Sequence, residues 1–597
     1  MSNNLLRQPN FGALVVLVWL LVALTLLLQY WAQTAETLLD TDDAMRLVEM
    51  RAWLAGQGWF DMHIGRVQPP TGYDSHWSRL IDAGLAGLYF FFQYFDPSSA
   101  ERLMRAWWPL LWLLPTMAGT TAIAWRIAGR EAAMVALLLA LAGVPAYQQF
   151  TPGRIDHHNV QVALALLIAA ATVWSDKNRW CAAAAGLLTG FALAIGFESL
   201  PYLAVCGAML ALRYVADPHA ADVRAGVALR QYGLALAVGT GVSFLISVGP
   251  GHWGVYRCDA IALNNVTAAI SAGLMLAVAG WLQHEDGLTR FFAVAAAGAL
   301  ATAVFLMFEP RCVRGPFAMV DPAIWPVWHD HVRELQPLIA VFRVNPLTAV
   351  AIAGFPALTV LAVLKLFTED KLRRDFGFLA AAFVFLAAAA TMVAAIRGYS
   401  YAMWLGMPLV AALALKFFEA LRIERFVPRL AAGLLFTPLA ISVSAITIAH
   451  ANGFADADSF ARPASRACFA NAGYQGLARL PQGLVIADVS FGPYVLALTP
   501  HSVVGAPYHR LSTGIVVSQG VLSSPPDDSR AMVNATKLIG SGGKPVYVVV
   551  CGPRPPDGLA EPARSRSLWA KLSAGTPPAW LERMPGQEPF QVYRVRL

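Results

Sequence analysis

The chain is 597 residues long, with 57% hydrophobic and only 14% charged residues. A soluble domain carries about a quarter charged residues, so a cytosolic enzyme, a disordered chain and a fibrous chain are excluded. The net charge of +7 would suit a nucleic-acid binder if it were clustered. The cations lie between apolar runs instead, which marks an integral membrane protein and leaves no nucleic-acid partner to expect.

Apolar runs able to cross about 30 Å of hydrocarbon fall at 12–33, 103–127, 131–148, 157–175, 179–196, 198–214, 231–249, 264–283, 290–308, 347–367, 377–396, 401–419 and 430–449. That predicts thirteen membrane helices. The first run is too long, and lacks the cleavage site, for a removable signal peptide. A further stretch at 80–95 is shorter and carries Gly84 and Gly87, so it is read as interfacial or re-entrant. Short loops rich in Arg and Lys (Arg126 and Arg130, Lys177 and Arg179, Lys371 to Arg374, Arg422 to Arg429) fall on one side, which the positive-inside rule makes cytoplasmic. Thirteen crossings put the N-terminus inside. A full crossing at 80–95 would place Arg7 on the wrong side. Loops 34–102 and 309–346, and everything after 449, are then outside.

From 450 on, Pro, Gly and Ser become frequent and no run is long enough to span a bilayer. The runs Gly483–Ala487 and Pro545–Val550 predict strands of a small mixed α/β domain over 450–597. Cys468 and Cys551 lie in this outer tail, and Cys258 and Cys312 at outer ends of spans, so two disulfides, 258–312 and 468–551, are expected. Cys181 and Cys206 sit in apolar runs and read as small core residues. No internal repeat of the transporter kind is visible.

Chemistry-bearing residues gather at the outer ends of the spans. Asp40, Asp42 and Asp43 follow the first span, with Arg46, Glu49 and Arg51 next. Acids this close repel one another unless a divalent metal or an arginine sits among them; otherwise they begin a solvated loop. Gly153-Arg154-Ile155-Asp156-His157-His158-Asn159 precedes the fourth span. Asp156 and His158 are two apart and can share an ion, with imidazole admitting Mn²⁺ or Zn²⁺ beside Mg²⁺; equally, Asp156 can be a helix cap. The outer loop 309–346 carries His331-Val332-Arg333-Glu334-Leu335-Gln336-Pro337, with Trp325 and Trp328 before it. A loop of this length is usually either functional or disordered, and Trp325, Trp328 and Phe342 argue against simple disorder. Arg397, between two spans, can hold a phosphate in two-pronged fashion or reach lipid headgroups. Glu198 at a span end, Arg154, and His76 and Arg79 in the first outer loop complete the candidate substrate-binding set.

Taken in order, these segments resemble the catalytic subunit of oligosaccharyltransferase and, more broadly, GT-C glycosyltransferases that use polyprenyl-phosphate-linked sugars. The resemblance covers about residues 10–420. Thr41-Asp42-Asp43-Ala44 matches the family's first-loop acidic motif at Asp42. Asp156 and His158 fall on its second acidic motif, with His in place of the second acid. Val332 to Pro337 is similar to its V-S-E-x-Q-P, which places Glu334 on the loop glutamate, and Arg397 stands where the family binds donor phosphate. Gly119-Thr120-Thr121 through Gly129-Arg130 resembles the second span and its exit. The W-W-D acceptor motif is missing; Ala487-Asp488 before Phe491-Gly492-Pro493-Tyr494 is nearest, so asparagine-sequon recognition is not implied.

The resemblance implies a polytopic GT-C module over 1–449 in the bacterial inner membrane, with a periplasmic tail. The activity implied is inverting transfer of a sugar from a polyprenyl-phosphate donor to a lipid, glycan or protein acceptor. Asp42 and Glu334 would be catalytic, and Asp42, Asp156, His158 and Glu334 would hold Mn²⁺ or Mg²⁺. Two other classes remain open: a secondary transporter, whose coupling acids belong near the midplane, and an assembly protein whose tail binds partners.

Overall fold

The computed structural model describes residues 10–216, 224–282, 286–456, 466–552, 554–556 and 559–596; Arg7 lies outside them. Each predicted apolar run is helical. The first is α1, Phe11–Glu36, and the outer loop that follows opens with α2, Thr41–Leu54, and α3, Arg79–Phe95. Helix α4, Ala100–Leu141, contains the run 103–127 and the first part of the run 131–148, whose end lies in a separate short helix, Val144–Phe150. The α4 backbone breaks at Ala128 and Gly129, where Gly129 adopts φ 81°, a conformation that glycine reaches without a Cβ penalty. There follow α5 (His158–Trp174), α6 (Arg179–Ile195), α7 (Leu200–Ala216), α8 (Ala225–Ser247), α9 (Leu263–Leu282) and α10 (Gly287–Phe308). The long loop 309–346 ends in α11 (Leu338–Val344), and after it come α12 (Pro346–Phe367), α13 (Phe376–Ala394), α14 (Tyr399–Ala420), α15 (Phe426–Leu434) and α16 (Pro438–Ala451).

This is a multi-pass membrane protein. Seven of these helices are singly long and apolar enough to cross a bilayer, and two bent pairs raise the number to nine. Helices α5, α6 and α7 have 17 residues each, about 26 Å at 1.5 Å per residue and so at the lower edge of a span. Helix α5 is apolar and buried along most of its length, because it packs in the middle of the bundle against α4, α6, α7 and α13. Gly84 and Gly87 do not interrupt α3. It buries Ile81 and Leu85 and exposes Phe90, Phe91, Tyr94 and Phe95, the amphipathic pattern of a helix at an interface.

A buried charge cluster fixes α2 on α3. Arg46 pairs with Glu49 at 3.0 Å and Asp82 at 3.1 Å, and Arg79 pairs with Asp82 at 3.1 Å. The indole of Trp77 lies 4.5 Å from the Arg46 guanidinium. Arg79 also donates to the backbone carbonyls of Glu49, Trp59 and Asp61.

Both expected disulfides, Cys258–Cys312 and Cys468–Cys551, are formed, and Cys181 and Cys206 are free. The tail carries a five-stranded sheet of order β4-β3-β5-β7-β6, from β3 (Leu484–Ile486), β4 (Ser502–Val503), β5 (Val546–Cys551), β6 (Leu581–Met584) and β7 (Phe590–Val595). The first three strands are parallel; β5, β7 and β6 pair antiparallel. Two further strands, β1 (His63–Ile64) and β2 (Tyr73–Asp74), form a small ladder in the first outer loop.

Alternation along β5 decides how the tail sits. Tyr547, Val549 and Cys551 join the core that continues into the helix bundle, while Val546, Val548 and Val550 close a separate core with Leu568, Trp569 and Leu572. A strand with both faces apolar is covered on both sides. One cover is the helix Leu568–Ser573; the other is the tail segment from Cys468 to His501, which in turn packs on α2. Val67 bridges to Val503, and the Arg66 guanidinium donates to the carbonyls of Leu496, Thr499 and His501. The tail is thereby pinned over the outer ends of the helices that carry the candidate site.

Candidate active site

Asp40 caps α2, accepting from the Thr41 N–H at 2.6 Å. The next two acids, one helical step apart, face different partners. Asp43 is fully buried. Its Oδ1 accepts the backbone N–H of Ile155 at 2.7 Å and of Asp156 at 3.0 Å, and its Oδ2 accepts Arg154 Nη1 at 2.9 Å. Arg154 also reaches Asp40 at 2.9 Å. Asp43 and Arg154 therefore clamp the start of α2 onto the segment before α5, and this clamp brings the first and second acidic motifs together. Burial pushes the Asp43 carboxyl up to about 7 against the pull of Arg154.

Asp42 looks the other way. Burial, and then the neighbouring carboxylates of Asp156, Asp40 and Glu334, push its carboxyl well above the usual carboxylate range. Crowding of this kind favours the protonated acid over the carboxylate.

Around Asp156 the groups form a ring. His157 Nδ1 lies against Asp156 Oδ1, and His157 Nε2 is 3.4 Å from Glu198 Oε1. His158 Nε2 stands 3.5 Å from Asp156 Oδ2 and 3.8 Å from Glu334 Oε2. Arg397 donates from Nη2 to Glu334 Oε1 at 2.5 Å and lies 4.0 Å from Glu198, closing the circuit. Burial would raise the Asp156 carboxyl, but the imidazoles of His157 and His158 hold it well below its usual range. Glu334 is likewise held low against burial by Arg397 and His158. One oxygen of this ring, Asp156 Oδ2, is buried and receives no hydrogen bond.

Local packing shapes the Glu198 corner. A Cβ at Gly196 would fall 2.4 Å from Gln161 Nε2 and 2.5 Å from Glu198 Oε2, so a larger residue there would displace the ends of these two side chains. Gln161 donates to Glu198 from within α5, and its Oε1 accepts Tyr401 Oη at 3.1 Å.

The structure thus draws Asp42, Asp156, His158, Glu198, Glu334 and Arg397 to one face. Arg79 lies in the α2–α3 charge cluster and Arg154 in the Asp43 clamp. His76 lies outside the ring, its Nδ1 3.1 Å from Tyr73 Oη and its ring 4.7 Å from that of His509. Sequence reasoning gives no separate role to His157 or Gln161, and takes Asp43 only as one of the three acids after the first span. His157 had a signal, as the middle residue of the Asp156–His158 motif; Gln161, one turn along α5 from His157, had none.

Outside the ring, between Gln148, the start of α12 and the outer ends of α14 and α16, opens a groove of about 350 Å³ lined by Gln148, Leu347, Thr348, Ile352, Tyr399 and Met403 among others. Its lining mixes Leu347, Ile352 and Met403 with Gln148, Thr348, Tyr399 and Asp456 and does not include Arg397. A larger cleft of about 510 Å³, between α2, β1 and Leu496–Pro500, contains none of the ring residues.

No family model and no curated protein sequence matches the chain. Solved structures do. Archaeal oligosaccharyltransferase AglB from Archaeoglobus fulgidus, in complex with an inhibitory peptide and a dolichol-phosphate, superposes with TM-score 0.65 at 12% identity, covering 91% of this chain and 69% of its own. The A. fulgidus oligosaccharyltransferase tethered with an acceptor peptide containing the NVT sequon gives 0.64 at 14% identity, with the same coverage. The chain has the GT-C fold. ArnT from Cupriavidus metallidurans bound to undecaprenyl phosphate aligns over 98% of both chains at 12% identity, with a TM-score of 0.43 that adds nothing to the assignment. Within the GT-C fold, the ring of acids and imidazoles lies at the ends of α2, α5 and α6 and in the second outer loop.

Proposed function

We propose that this protein is an inverting glycosyltransferase that moves a sugar from a polyprenyl-phosphate-linked donor to an acceptor at the outer face of the bacterial inner membrane. The observation that carries the reading is the convergence of Asp42, Asp156, His158, Glu334 and Arg397, from four separate segments, at one end of a GT-C bundle. Thirteen crossings with a cytoplasmic N-terminus would place these groups, loops 34–102 and 309–346, and the domain at 450–597 in the periplasm.

The donor enters sideways from the bilayer. The groove beside Tyr399 offers a prenyl chain the side chains of Leu347, Ile352 and Met403, and the Arg397 guanidinium is a two-pronged partner for a phosphate. The archaeal oligosaccharyltransferase of this fold takes a dolichol-phosphate, a lipid phosphate of the same class. Without donor, Arg397 holds Glu334. Arrival of the phosphate displaces that carboxylate, which is then free to turn toward His158.

The buried, unbonded Asp156 Oδ2 facing an imidazole nitrogen fits a divalent cation, Mn²⁺ or Mg²⁺, with Asp42, Asp156, His158 and Glu334 to hold it. When bound, the cation supplies positive charge against the charge that develops on the departing phosphate. The side chains do the rest. Asp42, its basicity raised by burial and by neighbouring carboxylates, orients the acceptor hydroxyl or amide and takes its proton. The acceptor atom bonds to the anomeric carbon while the bond from that carbon to the phosphate oxygen breaks and its electron pair leaves with the lipid phosphate. One displacement inverts the centre. Loop residues 323–337 cover the site during this step and keep water out. Arg154 acts through Asp43, holding the two acidic motifs together, and Glu198 orients His157.

The purified full chain, given radiolabelled sugar on undecaprenyl mono- or diphosphate and a membrane extract as acceptor source, should release label from the lipid, and its Asp42→Asn variant should not. Failure to turn over either donor class contradicts the reading.

A further inference from the structure

A second cluster lies away from the ring and is assembled from three distant parts of the chain: His76 in the first outer loop, Asp259 beside the Cys258–Cys312 bridge, and His509 in the tail. Each offers one ligand atom, and the three atoms lie within 4.8 Å of one another. We infer that these residues form a second transition-metal site, of the zinc class, that clasps the tail to the outer face of the membrane module.

The donor set is the first argument. Two imidazoles and one carboxylate are the set zinc favours, and they suit Mg²⁺ poorly. The surroundings are the second argument, because ligating histidines and carboxylates are oriented by outer partners. His76 Nδ1 is 3.1 Å from the Tyr73 hydroxyl; with its N–H donated there, Nε2 presents a lone pair. Asp259 is gripped from behind by Arg510, whose Nη2 donates to Oδ1 at 2.9 Å and Nε to Oδ2 at 2.8 Å. The Oδ1 contact survives when Oδ2 turns to a cation, so the arginine steadies the ligand without occupying its place. His509 Nε2 stands 2.6 Å from Asp259 Oδ2, the separation of an N–H donor and its acceptor. A zinc ion with ligand bonds of about 2.0–2.2 Å would take the place of that proton, which is released on binding. Closing a spread of 4.8 Å onto one ion needs side-chain shifts of about 1 Å.

Position gives the site its consequence. His509 packs 5.4 Å from Phe317 and 6.1 Å from Trp328, and Trp328 donates its indole N–H to the Pro507 carbonyl at 2.8 Å. The half of loop 309–346 that rests on the tail therefore rests on this cluster. A metal here joins the first outer loop, the disulfide-bonded segment after α8 and the tail, and stiffens the platform under the loop that carries Glu334.

The test uses full-length protein in detergent, stripped with chelator and dialysed, then titrated with Co²⁺ alone by visible absorption and with Zn²⁺ alone by calorimetry. Wild type should bind one equivalent more than His76→Gln and Asp259→Asn, with the strong visible bands of four-coordinate cobalt. Asp156→Asn, which disables the ring and not this cluster, should keep that equivalent. The two sites are thus distinguished whatever becomes of the proposed transfer reaction. Equal metal uptake by wild type, His76→Gln and Asp259→Asn overturns the inference. So does an Asp156→Asn protein that binds none, and wild type that binds none decides the matter even if the variants misfold.

Discussion

Asp43 and Asp42 are neighbours with opposite jobs, and substitution separates them. Asp43 accepts two backbone N–H groups and one guanidinium in a fully buried setting. Asp43→Ala removes all three bonds and leaves Arg154 with Asp40 and the more distant Asp156. Breaking a buried charged pair costs about 3–5 kcal/mol. Asp43→Asn is milder. Its amide oxygen can still accept both backbone N–H groups, and only the bond from Arg154 is lost, at about 1–3 kcal/mol. Burial already favours the uncharged acid at this position, which is the state the amide mimics. The expected order is therefore wild type, then Asp43→Asn, then Asp43→Ala, in both thermal unfolding of the detergent-purified protein and yield of folded protein. Transfer activity should fall in parallel with stability and remain measurable in Asp43→Asn. Asp43→Ala with wild-type unfolding would show that the clamp does not hold the two motifs together. Asp43→Asn that is fully stable yet inactive would make Asp43 a catalytic group and refute its positioning role.

Asp42→Asn should unfold like wild type and lose about 10²–10⁴-fold in turnover, the usual worth of a general base; single-turnover kinetics on a defined donor checks both. Glu334→Gln should reduce turnover strongly and donor binding little, and hydrogen exchange should show residues 323–337 better protected with a donor analogue than without. Equal protection in both states, with an active Glu334→Gln protein, removes the lid from the mechanism. Mass spectrometry of non-reduced peptides should find Cys258–Cys312 and Cys468–Cys551 linked, and Cys181 and Cys206 as thiols.

Apolar length and hydropathy located the helical segments of the bundle, including the break between the second and third runs, which the positive φ of Gly129 creates, but not the bend that splits the run 430–449 into α15 and α16. They could not place α2, a polar helix whose buried charges are satisfied by partners that only the fold supplies: Arg46 by Asp82 on α3, beside Glu49 of its own helix, and Asp43 by Arg154 before α5. The β-type run Pro545–Val550 announced a strand, but nothing local says which of its alternate side chains belong to the core shared with the helix bundle and which to a separate one. At the site, residue type and order located Asp42, Asp156, His158, Glu334 and Arg397. Arg79, Arg154 and His76 were indistinguishable from ligand-binding residues in the sequence, because their partners are supplied by the fold. Asp259 and His509 are 250 positions apart, so their meeting has no trace in spacing.

The most direct measurement is an electron cryomicroscopy structure of the full chain with undecaprenyl phosphate and Mn²⁺. The account predicts the lipid phosphate against Arg397, the prenyl chain in the groove between α12, α14 and α16, and Glu334 turned from Arg397 toward His158. A lipid phosphate bound elsewhere, with the Arg397–Glu334 pair intact, would contradict it.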